Sequence, residues 1–399
     1  MTCRIFVRQS SVVAVSIVAA IAAVIWTGGV APVAAQEKIK IGIMADFTGP
    51  FAAVGTMLRQ GADLYVFDRG TKIGDREVEV IYRDVTPATA KQIAEELVVR
   101  DKVSLLGGFA LTPEAAAVAS ISQQAKIPTV LMVPSTPTLM KMSPYFVRAS
   151  NNMPATAMPG AEWSIKQGKK KAYIAVSDYA PGYEAQAAFK KRFEDLGGKV
   201  IGEDRIPLNT VDYAPFAERI ARSDADVVQV FIPPGAPSIS FIRSLVAQGV
   251  MKKGVTLMGI GETDEYFLPL YDDSVLDYHS SWHYSEMLAT PENAAFKKKL
   301  AAKYEGKAAA AAFVVQGFDG MHLMYRMIES QAGHAFDGAA AVEAIKGYKW
   351  TSPRGPMMID PATRDVVENM YIRRVERVNG KLANVVIDTF GMVKPVAAE

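Results

Sequence analysis

The residues of this chain that could do chemistry sit in short runs beside glycine and proline. In Gly107-Gly108-Phe109-Ala110-Leu111-Thr112, a glycine pair leads to a hydroxyl just before a helix-forming stretch. The amides of Ala110, Leu111 and Thr112, with the Thr112 hydroxyl, would face a group seated at the positive end of that helix, which favours a carboxylate or similar anion. Pro134-Ser135-Thr136-Pro137 adds two hydroxyl donors at Ser135 and Thr136. Tyr179 and Tyr183 offer rings for a wall. Gly259-Ile260-Gly261-Glu262-Thr263-Asp264 supplies two carboxylates, of which Glu262 or Asp264 could pair with an ammonium group. Each has a plainer reading: Thr112 as the cap of its own helix, Glu262 and Asp264 as the start of another, the tyrosines as turn residues.

Bond-breaking chemistry has little support. There is no phosphate-cradling G-x-x-x-x-G-K-[ST] and no G-x-S-x-G nucleophile elbow, and Gly259-Ile260-Gly261 lacks the third glycine of a dinucleotide fingerprint. His279 and His283 are four apart but lie in a strand-like stretch, 278–284, where that spacing is not a ligand pair. His322 and His334 are isolated, Lys297-Lys298-Lys299 reads as a solvated helix face, and the 18 methionines read as adaptable packing. The sequence therefore predicts no catalytic residue, no metal site and no cofactor. Its 399 residues are 50% hydrophobic and carry a formal charge of only +2, enough apolar material for two or three globular units and too little basic excess for nucleic acid.

The elements that must position these runs alternate. Strands are expected at 38–45, 77–82, 103–106 and 129–133, separated by helices at 52–69, 88–100 and 113–125. The rhythm restarts near 150, with helices at 155–166, 183–196, 214–221 and 238–248 and strands at 172–176, 200–206, 227–232 and 255–258. Helices follow at 292–304, 309–331 and 338–346, then short closing strands at 357–359, 370–375 and 385–387. Repeated β-α units with apolar strands imply parallel sheets covered by helices on both faces. Ligands bind such sheets outside the carboxyl ends of the strands, where all the runs above fall.

At this point the chain resembles the type I periplasmic solute-binding proteins of ABC transporters, in the leucine/isoleucine/valine-binding group. The resemblance rests on Ile39-Lys40-Ile41-Gly42 followed by Thr48-Gly49-Pro50 and Gly55, then Gly61-Ala62, Arg83-Asp84, Leu106-Gly107-Gly108, Ile127-Pro128-Thr129, Pro134-Ser135 and Phe318-Asp319-Gly320, in that order through nearly the whole chain. It implies two Rossmann-like α/β lobes, 36–150 plus about 285–360 and 151–284 plus about 361–399, hinged by three crossovers and closing on a ligand. It implies ligand contacts at Ala110, Leu111, Thr112, Ser135, Thr136, Tyr179, Glu262 and Phe313, with Glu262 near the acid that takes a ligand amine. The chain departs from the family pattern where Leu111 stands for a serine and Val54 for an aromatic residue, where Pro137 crowds the second loop, and at Ala180-Pro181-Gly182-Tyr183. These departures open the choice between an amino acid and a hydrophobic or aromatic carboxylate or amide.

Arg4 and Arg8, the apolar run 11–26 and Val33-Ala34-Ala35 follow the order of a secretory signal peptide cut after Ala35. Removing 1–35 leaves 42 basic and 42 acidic residues and no cysteine, since Cys3 is lost with the leader. The expectation is a monomeric periplasmic carrier that delivers a small-molecule ligand to an inner-membrane ABC permease and binds no nucleic acid. A ligand-sensing module of the same fold and an exported α/β hydrolase are the alternatives.

Overall fold

The computed structural model describes residues 1–2 and 38–397, so the leader expected at 1–35 lies outside the described residues apart from its first two positions. In chain order the elements are β1 (Lys38–Ala45), α1 (Ala52–Arg69), β2 (Lys72–Ile73), β3 (Arg76–Asp84), α2 (Ala90–Val99), β4 (Leu105–Gly108), α3 (Thr112–Ala125), β5 (Thr129–Leu131), α4 (Leu139–Met142), β6 (Phe146–Arg148), α5 (Met153–Lys166), β7 (Lys171–Ser177), α6 (Ala180–Asp195), β8 (Lys199–Ile206), α7 (Ala214–Arg222), β9 (Val227–Phe231), α8 (Ala236–Ala247), β10 (Thr256–Gly259), β11 (His279–Trp282), α9 (Pro291–Tyr304), α10 (Ala312–Glu329), α11 (Gly338–Ala344), β12 (Lys349–Ser352), β13 (Gly355–Ile359), β14 (Val366–Val378) and β15 (Lys381–Val393).

Two sheets result. The first has the order β2-β3-β1-β4-β5-β6, parallel except for β2. The second runs β12-β13-β14-β11-β10-β9-β7-β8, with β15 paired to β14. Its five strands from β7 to β11 are parallel, and β12 to β15 join antiparallel. The α/β architecture is as expected, but the sheets are mixed rather than wholly parallel. The three short closing strands become the antiparallel β13 and a long hairpin of two 13-residue strands. The hairpin turns on Asn379 (φ 51°) and Gly380 (φ 78°), the pair of positive φ angles that a tight two-residue hairpin requires.

The chain returns to the first sheet late. Helix α10 lies against α1 so closely that a Cβ on Gly61 would stand 1.8 Å from the Val314 carbonyl, and one on Gly317 would stand 2.1 Å from that of Leu58. Two glycines, one on each helix, are what let these backbones touch. The buried α10 side chains Met321, Leu323, Met324 and Ile328 then complete the core over Ile39, Ile41 and Ile43 of β1.

Three segments join the elements around the two sheets: 149–152 after β6, 283–290 after β11, and 345–365, whose strands β12 and β13 form an edge of the second sheet. Arg354, wholly buried in the last of these, gathers all three. Its Nε donates to Asp319 Oδ2 of α10 at 2.8 Å and its Nη1 to Glu368 Oε2 of β14 at 2.7 Å. Nη1 also donates to His283 Nδ1 at 3.1 Å in the second crossover, and Nη2 donates to the Ala149 carbonyl in the first. Burial and the Arg354 and Arg373 charges hold His283 far below its usual pKa, so it stays neutral and can accept.

Replacing Arg354 by Met should therefore strand two buried carboxylates. The expected loss is about 3–5 kcal/mol of unfolding free energy, read from urea denaturation. A loss below about 1 kcal/mol would mean that Asp319 and Glu368 find other partners.

Candidate functional site

The strand ends of both sheets meet at a narrow cavity of about 40 Å³, against roughly 10–15 Å³ for one water. The first sheet supplies Ala110, Leu111 and Thr112 from the β4–α3 loop, Val133, Pro134 and Ser135 from the loop after β5, and Phe51 and Val54 beside α1. The second supplies Tyr179 and Pro181 around the start of α6, Phe231, Pro233 and Pro234 at the end of β9, and Trp282 at the end of β11. Phe313 comes from the first turn of α10, Asn151 from the first crossover and Met153 from the start of α5. Among the described residues no charged side chain lines this wall. A larger groove of about 750 Å³ runs between the 268–272 turn and the β14–β15 turn, but it is open and lies off the strand ends.

The loops are held from behind by charged groups. Asp84, at the end of β3, accepts from the Phe47 amide and the Thr48 hydroxyl, both at 2.7 Å, and so pins the turn after β1. Arg148, buried on β6, donates to the Pro134 carbonyl and to the Thr136 carbonyl at 2.7 Å, while its Nε pairs with Asp365 at 2.8 Å. That guanidinium fixes the backbone on either side of Ser135. After β4 the backbone turns sharply through Gly108 (φ 106°) and Phe109 (φ 68°), and the Phe109 amide bonds to the Met44 carbonyl. A buried phenylalanine in the left-handed region is backbone strain of order 1–3 kcal/mol, kept because packing over-determines it.

Six of the eight residues expected to touch ligand line the cavity: Ala110, Leu111, Thr112, Ser135, Tyr179 and Phe313. Their roles differ from expectation. The amides of Ala110 and Leu111 do not face an incoming anion, because both donate to Glu114 Oε2, at 2.9 and 3.2 Å. Glu114 stands three residues after Leu111, the N-cap of α3, and folds back onto the free amides of its own helix. Thr112 is the first helical residue rather than the cap, and its hydroxyl meets that of Thr136 at 3.2 Å. Thr136 stands behind the wall in contact with Thr112.

Glu262 is also placed otherwise than expected. It is fully buried and does not line the cavity. Its Oε2 accepts from the amides of Ile260 (2.7 Å) and Gly261 (3.1 Å) and its Oε1 from that of Ile232 (3.0 Å), so one carboxyl ties the loops after β9 and β10 together. Burial pushes it up to about 7 against the pull of those amides. Asp264 is engaged in the same way, accepting from the Ala312 amide at 3.0 Å at the start of α10. A carboxylate among unpaired loop amides turns to them first. Glu184, at the start of α6, faces an adjoining groove with Pro137 and Thr138.

The largest contributions missed from sequence are aromatic. Phe231 stacks with Tyr179 at 6.1 Å and 9°, and Trp282 meets Phe313 edge to face at 6.1 Å and 65°. Both Phe231 and Trp282 end strands, which was the available signal.

A family model described as periplasmic binding protein matches residues 38–381. This chain belongs to the periplasmic binding protein family. The binding protein is 40% identical over 366 residues to a Leu/Ile/Val-binding protein homolog of Brucella melitensis, covering 90% of this chain and 93% of the relative. Its fold matches a solute-binding protein of an ABC transporter from Rhodopseudomonas palustris HaA2, solved with p-hydroxybenzoic acid, at 40% identity and a TM-score of 0.86, covering 90% and 98% of the two chains. A second, from Rhodopseudomonas palustris BisB5 with 3,4-dihydroxybenzoic acid, matches at 35% identity and 0.85 over the same shares.

Two predictions concern the carboxyls behind the loops. Glu114 Oε1 and Asp46 Oδ2 are both buried without a partner among the described residues, and the two carboxyls interact with each other, so a proton shared between them would satisfy both. Burial first, and Asp46 next, push Glu114 up to about 9 from an ordinary 4.5. The folded chain thus holds this proton more tightly than the unfolded one, so its stabilisation is complete below about 4.5 and is lost as pH rises toward 9. Glu114→Gln should flatten the fall in melting temperature of the binding protein between pH 5 and pH 9; parallel curves for the two proteins would refute the pairing. For Glu262→Gln, an amide nitrogen set against amide donors should cost about 1–3 kcal/mol in urea unfolding. An unchanged midpoint would show that the loop amides do not depend on it.

Proposed function

We propose that this chain is the solute-binding component of an ABC importer for aromatic carboxylates, rather than for α-amino acids. One observation carries the choice: the cavity wall offers no carboxylate to an ammonium, since Glu262 and Asp264 are spent on backbone amides. An unpaired ammonium sealed against Phe231, Trp282 and Phe313 would cost several kcal/mol, roughly. A flat ring suits those walls, and a carboxylate suits the Thr112 and Ser135 hydroxyls beside the positive end of α3. The hydroxybenzoate-bound relatives support the same class.

In this reading the two lobes, one built on each sheet, close on the acid. Loops of both contact it, so it stabilises the closed arrangement through the contacts made only there. The leader 1–35 is removed on export, and the monomeric carrier hands its ligand to an inner-membrane permease without chemical change.

Titration calorimetry on residues 36–399 with benzoate, 4-hydroxybenzoate and leucine tests this. The aromatic acids should bind at least a hundredfold more tightly than leucine, about 2.7 kcal/mol. Leucine binding as tightly as either acid would overturn the assignment.

A further inference from the structure

Trp282 ends β11 on the second-lobe side of the cavity and is 4% exposed. Its Nε1 is buried and has no hydrogen-bond partner among the described residues. Indole N–H is a donor only, and a buried donor in a folded protein is almost always matched. The neighbours do not match it: Phe313 and His283 meet the ring as aromatic contacts, and His283 Nδ1 is already filled by Arg354. The other polar groups of the wall are partly engaged, Thr112 with Thr136 and Asn151 with Thr156 at 2.9 Å.

We infer that Trp282 Nε1 is a specificity-determining donor, which reads a neutral acceptor oxygen on the ring of the ligand at the end away from its carboxylate. The two sides of the cavity differ in kind. Thr112 is the first residue of α3 and Ser135 lies on the neighbouring loop after β5, so this side offers two hydroxyl donors to a negative group. Trp282 offers one uncharged N–H among rings and proline, which suits a neutral oxygen such as a phenolic hydroxyl and fits a carboxylate poorly. A ring acid lacking that oxygen leaves the indole N–H unmatched in the closed cavity. The site therefore discriminates hydroxylated from plain aromatic acids. This inference rests on the aromatic-carboxylate reading.

The test compares benzoate with 4-hydroxybenzoate by calorimetry, on the wild type and on Trp282→Phe, which keeps a ring and removes the donor. Wild type should prefer the hydroxylated acid by roughly tenfold, and the variant should lose most of that preference, read as the ratio of its two affinities, so that 4-hydroxybenzoate loses more than benzoate. Residues 36–399 contain three tryptophans, Trp163, Trp282 and Trp350, so their indole N–H resonances can be followed by nitrogen-15 NMR on wild type even if the variant fails to fold. The Trp282 signal should move downfield with 4-hydroxybenzoate and stay nearly in place with benzoate. Equal wild-type affinities, equal losses for both acids in Trp282→Phe, or the same shift with both acids would overturn the role of Trp282 and leave the ligand class intact. Failure of wild type to bind either acid would overturn both.

Discussion

One guanidinium sets the geometry from which the rest follows. Arg354 is wholly buried in the third crossover, and its donors reach Asp319 of α10, Glu368 of β14, His283 in the second crossover and the Ala149 carbonyl in the first. A lone charge there would be costly; two carboxylates and oriented acceptors compensate it, and the planar fork of arginine reaches several at once. The strand ends on either side of the cavity are referenced to that point. Arg148 repeats the device one layer forward, holding the loop at Pro134 and Thr136 while pairing with Asp365. Arg373 does so in the second sheet, donating to the Tyr284 carbonyl at 2.8 Å and pairing with Glu265.

The same economy governs the acids. Asp84, Glu114, Glu262 and Asp264 all stand near strand ends, where a carboxylate on the wall would be expected to meet ligand. Each instead accepts from backbone amides of a loop. Amides at strand ends lack ladder partners; Glu114 and one oxygen of Glu262 reach amides within four residues of themselves, whereas Asp84, Asp264 and the other oxygen of Glu262 reach amides of distant segments. The wall is left to aromatic rings, proline and a few neutral donors. Selectivity in such a cavity is set by shape and by which neutral donors find acceptors.

The β-α alternation was legible because buried parallel strands are short apolar runs between glycine and proline, and strand ends then located Ala110, Leu111, Thr112, Ser135 and Tyr179 on the wall. What those residues do was not legible. The Leu111-Thr112-Pro113-Glu114 run reads as a threonine-capped helix, yet Leu111 takes the cap position and Glu114 the amides. Arg354 shows nothing in sequence of a partner at Ala149, 205 positions away, because that meeting is made by the return of the chain. Trp282 falls in the stretch 278–284 that reads as a strand, but nothing in its spacing marks it as a wall residue. The long hairpin of β14 and β15 was missed, since the sequence suggests only short closing strands there.

The embrace of α1 by α10 bears on when the molecule can assemble. Helix α1 is complete at residue 69, but the backbone that packs on Gly61 arrives only at Val314. Until then the apolar flank of β1 and α1 has no cover, and closing a loop of some 250 positions comes before any gain from that contact. A nascent chain thus stays without a finished cover over its first sheet for most of its synthesis.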